Sequence, residues 1–139
     1  SPFAFTGNKF EFRSPGSSQS IADTNTVINT IVAETLDEFA SKLEAASNFD
    51  TELHSLIRDT IKTHKRIIFN GNNYSAEWVK EAEKRGLYNL PSTPDAVERL
   101  IAPENISLFT KYGVLTETEV RSRHEIMLES YCKAARLAL

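Results

Sequence analysis

The sequence predicts a mainly helical fold: one or two N-terminal β-strands followed by a bundle of five or six helices. Three observations lead there. Residues 9–13 alternate charged and aromatic side chains, a period of two that belongs to a strand. From about Asp23 the period changes, and Val27, Ile28, Ile31, Val32, Leu36, Phe39, Leu43 and Ala46 recur at spacings of three and four, which is one helical stripe. Helix start and stop signals then follow in quick succession to the end of the chain.

In order, residues 1–7 read as a loop entering a strand at 8–13, and "SPGSSQS" after it is rich in turn formers. The first helix is expected over 22–47, with a stripe wide enough to be buried, and "SNFD" breaks it. A second helix carries Leu53, Leu56, Ile57 and Ile61 and ends near "THKR", where Lys62, Lys65 and Arg66 suit the negative end of the helix dipole. In "RIIFNGNNYS" a short apolar run gives way to a turn, with Gly71 offered for a positive φ. Ser75 caps a helix over 76–85 and Gly86 stops it. Thr93, Pro94 and Asp95 read as N-cap, N1 proline and first-turn acid of a helix reaching about 102. Pro103 starts another, which Gly113 ends. Thr116 and Glu119 form a T-x-x-E capping box for a last helix over 117–137, with Val120, Met127, Leu128 and Tyr131 as its apolar face.

Composition narrows the function classes. A chain of 139 residues with 40% hydrophobic and 25% charged side chains is long enough to hold a core. A net charge of -3 disfavours a general nucleic-acid binder, as does the lack of an aromatic-basic pattern. No apolar run approaches the ~20 residues of a membrane span, and no basic-plus-apolar signal segment opens the chain. Cys132 is the only cysteine, so no internal disulfide forms, which fits a reducing cytoplasm. The two N-x-S matches at Asn73 and Asn105 are then read as chance. The opening "SPFAFTGNKF" lacks a methionine and reads as the middle of a longer protein, so an excised fragment is expected.

The usual catalytic constellations are missing. There is no Walker or dinucleotide glycine loop. His124-Glu125 begins like a zinc helix, but position 128 is Leu. His54, His64 and His124 lack ligand-spaced partners and are read as surface or packing histidines. Cys132 is read as a small buried residue, and the K-T-H-K-R run as a solvated helix end. Tyr74 and Trp78 either stack on a ligand or seat the 76–85 helix on the core.

That leaves Lys9, Glu11 and Arg13, which share one face of the expected strand. Read plainly, this is the wet face of an amphipathic strand. Read chemically, same-face neighbours about 6.6–6.8 Å apart put a hard oxygen ligand for Mg²⁺ or Mn²⁺ between two cations able to meet anionic ligand groups. One glutamate is not a metal site, and the chain shows no further ligands.

The blocks "TGNKFEFR", "GSSQSIADTNTVINTIVAE", "HKRIIFNGNNYS" and "YGVLTETEVRSRHEIMLESYCK" are similar, in this order, to the C-terminal end of type III glutamine synthetases, the large-subunit bacterial form. The resemblance covers essentially the whole chain. It implies that residues 1–20 are the edge of a catalytic domain, a remnant of its sheet, and that 21–139 form a helical C-terminal region. It implies that Glu11 is a ligand of the second divalent metal, Mg²⁺ or Mn²⁺, that works on the phosphates of ATP. Arg13 would face substrate glutamate and the transferred phosphoryl group, with a catalytic as well as a binding role, and Lys9 would be a cation near the nucleotide phosphates. Short-subunit forms follow this strand with a "FPDPAANPY"-like stretch. This chain has "SPGSSQSIADTN" instead, so no role carries over from that loop. The implied partners are glutamate, ammonia and ATP, and other subunits of a ring-shaped homo-oligomer in the cytoplasm, with no nucleic acid and no membrane. The rest of the site would lie upstream of Ser1, and the fragment alone would be inactive. The competing reading is a non-catalytic helical module for assembly or partner binding, built on the stripes at 27–46 and 120–131.

Overall fold

The computed structural model describes residues 3–12, 16, 19–72 and 74–138. Among them the chain is mainly helical, with six α-helices: α1 (Ala22–Glu44), α2 (Phe49–His64), α3 (Ala76–Lys84), α4 (Thr93–Val97), α5 (Pro103–Lys111) and α6 (Glu117–Ala138). Short 3₁₀ turns continue α2 over Lys65–Ile67 and α4 over Glu98–Ile101.

Two three-residue strands, β1 (Phe3–Phe5) and β2 (Phe10–Phe12), pair antiparallel with Phe3 opposite Phe12, Ala4 opposite Glu11 and Phe5 opposite Phe10. Residues 3–5 are therefore extended, where a loop was expected. The connecting turn uses Gly7 at φ 96°, and the Lys9 carbonyl accepts from the Thr6 amide at 2.8 Å. Among the described residues no helix packs on this ribbon, and no larger sheet surrounds it.

The helix ends follow local chemistry. Asn48 caps α2 by accepting from the Thr51 amide at 2.9 Å. That draws the chain out of α1, which stops at Glu44 rather than near 47. Ser75 caps α3. At its other end the Gly86 amide bonds to Glu83 O at 2.9 Å and the Leu87 amide to Ala82 O at 2.9 Å, with Gly86 at φ 69°. This is a Schellman stop. Gly113, at φ 62°, ends α5 in the same way through Val114 and Phe109. For α4 the cap is one residue earlier than expected. Ser92 accepts from the Asp95 amide, and Pro94 falls inside the first turn. The Ser92 hydroxyl also reaches the Asp95 carboxylate, and this added bond selects Ser92 over Thr93.

Gly71 does not take a positive φ. It is needed for space, since a Cβ there would stand 2.6 Å from Phe69 Cζ. The Phe69 ring is fixed by stacking on Trp78, with centroids 4.2 Å apart. Arg85 lies over both rings and donates from Nη1 to Arg66 O at 3.2 Å and Ile68 O at 2.9 Å. Trp78 thus seats α3, and Tyr74 is exposed.

The core is small and sits among α4, its 3₁₀ extension, α5 and α6, where Ala102, Phe109, Val120 and His124 are buried. Leu56 and Thr30 add buried positions on α2 and α1. The stripe of α1, expected to be buried, is largely exposed in Val27, Ile31, Val32 and Leu36. Spacing fixed which residues share a face, but not whether a partner covers it. The side of α1 that meets α5 and α6 is polar: Arg123 donates to Asp23 at 2.7 Å, the Tyr112 hydroxyl donates to Asp37 at 2.9 Å, and Lys111 Nζ stands 3.8 Å from Glu34 and 3.7 Å from Asp37.

Candidate functional site

Of the three residues singled out in the sequence, Glu11 lies within a described strand. Glu11 lies in the middle of β2 opposite Ala4, and its side chain is half-buried. Lys9 precedes the strand in the turn and is exposed, because the turn closes on its carbonyl. Arg13 lies outside the described residues. What the ribbon presents is therefore one placed carboxylate and one mobile-stemmed cation two residues before it.

Among the described residues no three His, Cys, Asp or Glu side chains stand close enough to hold a metal ion. Mg²⁺ asks for an octahedral set of oxygens. Glu11 suits that chemistry as a single ligand, and the described residues do not complete the set.

The other titratable groups have structural work. His124 is a packing histidine, 6% exposed. Its Nε2 is 3.0 Å from Glu98 Oε1, which ties α6 to the 3₁₀ turn. His54 and His64 are exposed, as is the 62–66 basic run at the end of α2. Cys132 is exposed rather than buried. Every residue from 129 to 138 is solvent-facing, so an apolar neighbour was not there to take its thiol. Glu119 accepts from the Thr116 amide at 2.8 Å and from its hydroxyl at 2.9 Å. The bond from the Thr116 backbone, then that from its side chain, hold the Glu119 carboxyl below the usual glutamate range. Sequence reasoning missed the Glu98–His124 contact, since 26 residues separate the pair and no motif announces it.

These features define a class: a mainly helical region carrying one short ribbon, in which many polar groups of the described residues serve caps and helix packing. The family can be stated outright. Residues 52–138 match the glutamine synthetase C-terminal domain, and the chain belongs to that family. The match starts inside α2 and leaves the ribbon and α1 outside it. Three curated relatives align with almost the whole chain. It is 45% identical over 141 residues to the Type-3 glutamine synthetase of Dictyostelium discoideum, covering 99% of this chain and 19% of that protein. It is 42% identical over 137 residues to a glutamine synthetase of Butyrivibrio fibrisolvens, covering 96% and 19%. With a glutamine synthetase of Bacteroides fragilis the identity is 36% over 135 residues, covering 94% and 18%. The chain thus spans about a fifth of the length of the relatives it matches. None of its described helices is long and apolar enough to cross a membrane.

Proposed function

We propose that this chain is the C-terminal part of a glutamine synthetase, the ATP-dependent ligase that joins ammonia to the side chain of glutamate. The observation that carries the reading is similarity to enzymes of that name along 94–99% of the chain. The similarity extends through the ribbon and α1 as well as the C-terminal domain. In this reading residues 1–20 belong to the edge of the catalytic domain, with the ribbon a remnant of its sheet, and 21–139 form the helical C-terminal region. The parent assembles as a ring-shaped homo-oligomer in the cytoplasm.

Glu11 would supply one oxygen ligand to a divalent ion, Mg²⁺ or Mn²⁺, whose other ligands would come from elsewhere in the parent. When bound, that ion would neutralise phosphate charge on ATP. Arg13 faces glutamate and the phosphoryl group in transfer, and Lys9 lies near the nucleotide phosphates. In the reaction, an oxygen of the glutamate γ-carboxylate takes the terminal phosphoryl group of ATP, leaving ADP. Ammonia then attacks the carbonyl carbon, phosphate departs and a proton is lost. Two anions must be brought together in the first step, so positioned positive charge is the main requirement. A guanidinium meets it with a planar fork that an ammonium lacks.

The test is Arg13→Lys in the full-length enzyme. Turnover is expected to fall about a hundredfold or more, and near-normal turnover would overturn the assignment. The 139-residue chain alone is expected to make no glutamine, and detectable synthesis by it would do the same. The exposed apolar side of α1 also favours a role in assembly, which is compatible with being the tail of an enzyme.

A further inference from the structure

Asn70-Gly71 is the one Asn-Gly pair of the sequence. It lies in the link between α2 and α3, both residues are exposed, and neither belongs to a helix or strand. Around the pair the link is pinned. Arg85 Nη1 donates to Ile68 O at 2.9 Å, Phe69 stacks on Trp78, and on the far side the Asn72 side chain accepts from the Tyr74 amide at 3.0 Å. At the pair itself, among the described residues, no hydrogen bond holds the Asn70 side chain or the Gly71 N–H. The Phe69 ring also dictates residue 71. A Cβ there would stand 2.6 Å from Phe69 Cζ and 2.9 Å from Cε1, and the ring cannot give way without leaving Trp78, so glycine is what the position accepts. Glycine also leaves its own backbone nitrogen unscreened by a side chain and its backbone free to turn. The packing that seats α3 therefore places an open nitrogen next to a side-chain amide.

We propose that Asn70 is a site of spontaneous covalent modification, in which the Gly71 nitrogen attacks the Asn70 side chain. The nitrogen bonds to Asn70 Cγ, the Cγ–Nδ2 bond breaks, and Nδ2 leaves as ammonia carrying the amide proton of Gly71. A succinimide ring then joins the two residues, and water opens it. Attack of water at Cγ gives aspartate. Attack at the main-chain carbonyl carbon gives an isoaspartyl link, whose main chain runs through Cβ and Cγ and is longer by a carbon. Water is the sole reactant consumed. Either product carries a carboxylate where an uncharged amide stood. The longer link also falls where Gly71 passes against the Phe69 ring, so it moves Phe69 off Trp78 and loosens α3. Other asparagines are spared by the same logic. Asn48 and Asn72 accept from the amides of Thr51 and Tyr74, Asn105 Nδ2 donates to Arg99 O at 2.6 Å, and each is followed by a residue with a side chain.

This site goes beyond the functional reading and does not need it, because its readout is a peptide and not turnover. The full-length protein that carries this chain is aged in mildly alkaline buffer and digested. Mass spectrometry follows the mass gain of amide-to-acid conversion, and enzymatic isoaspartyl methylation identifies the longer link. Conversion at Asn70 is expected to be about tenfold faster or more than at Asn72, a barrier lower by ~1.4 kcal/mol. Amide exchange across α3 is expected to quicken several-fold in the aged protein. It is expected to stay constant in aged Asn70→Gln, whose longer side chain closes a ring with difficulty. Equal conversion at Asn70 and Asn72 would overturn the proposal. So would conversion at Asn70 that occurs only after unfolding in urea, since the folded link would then hold the nitrogen away. Exchange in α3 that is unchanged after full conversion would overturn the coupling through Phe69.

Discussion

Val120 is the fully buried large side chain of the described residues, at 0% exposure, and it locks the start of α6. It occupies the fourth position of that helix, with half-buried Leu115 just before the Thr116 cap. Those are the two positions of a hydrophobic staple. Val120→Ala removes two methyl-sized groups. The lost transfer free energy is about 1.6 kcal/mol at ~0.8 per group. If the site does not collapse, a void of roughly 50 Å³ adds about 1.2 kcal/mol. The expected loss is therefore about 2 kcal/mol, with an upper value near 3. Urea unfolding of the 139-residue chain, followed by far-ultraviolet circular dichroism, should show a lower midpoint at unchanged slope. The melting temperature should fall by roughly 5–10 °C. Val79→Ala on α3, where the side chain is 45% exposed, should cost under about 0.5 kcal/mol. A Val120→Ala loss as small as that of the control would mean that the first turn of α6 is not seated in the core as described.

Two further outcomes follow from single residues. Arg85→Lys keeps the charge but loses the planar fork that bonds Glu81 through Nε while Nη1 reaches Arg66 O and Ile68 O. It should cost about 1–2 kcal/mol and shift the fluorescence of Trp78, while an unchanged spectrum would count against Arg85 as the anchor of α3. Glu119 is more acidic folded than unfolded, so its contribution is complete above the unfolded value and is lost as pH falls through the lower folded value. Thr116→Ala removes the hydroxyl but keeps the larger backbone bond, so it should reduce that acid-side loss in part in a pH series of urea midpoints, and an identical pH profile in the variant would refute the role of the hydroxyl in the capping box.

The sequence was legible wherever the cause of structure lies within about five residues. Ser75, Gly86, Gly113 and the Thr116–Glu119 box act as read, because a cap or stop is a contact between near neighbours. Legibility failed where two local options compete, as at Ser92 and Thr93, and where the decisive atom comes from a third residue, as when Phe69 sets the need for Gly71. It failed again for burial. The period of α1 was correct and its apolar side is nonetheless exposed, and Cys132 lies on a stretch of α6 with no neighbours over it. The candidate site rests on family resemblance. Charge alternation around Glu11 suggested a strand over 8–13; the described strand begins at Phe10, just after a turn closed by a backbone bond to the Lys9 carbonyl, and such a turn leaves little trace in side-chain pattern.

The joint between α1 and helices α5 and α6 has a physical character unlike that of a core. Arg123 and Asp23 are already 46% and 53% solvated at the side chain, and Lys111 and Asp37 49% and 54%. Parting them re-wets groups that are already wet, at less than about 1 kcal/mol for each exposed pair. Brine near 1 M, where screening acts over about 3 Å, weakens these pairs while it tightens apolar contacts elsewhere. Salt therefore acts on this joint in the sense opposite to its action on the apolar interior around Phe109 and Val120.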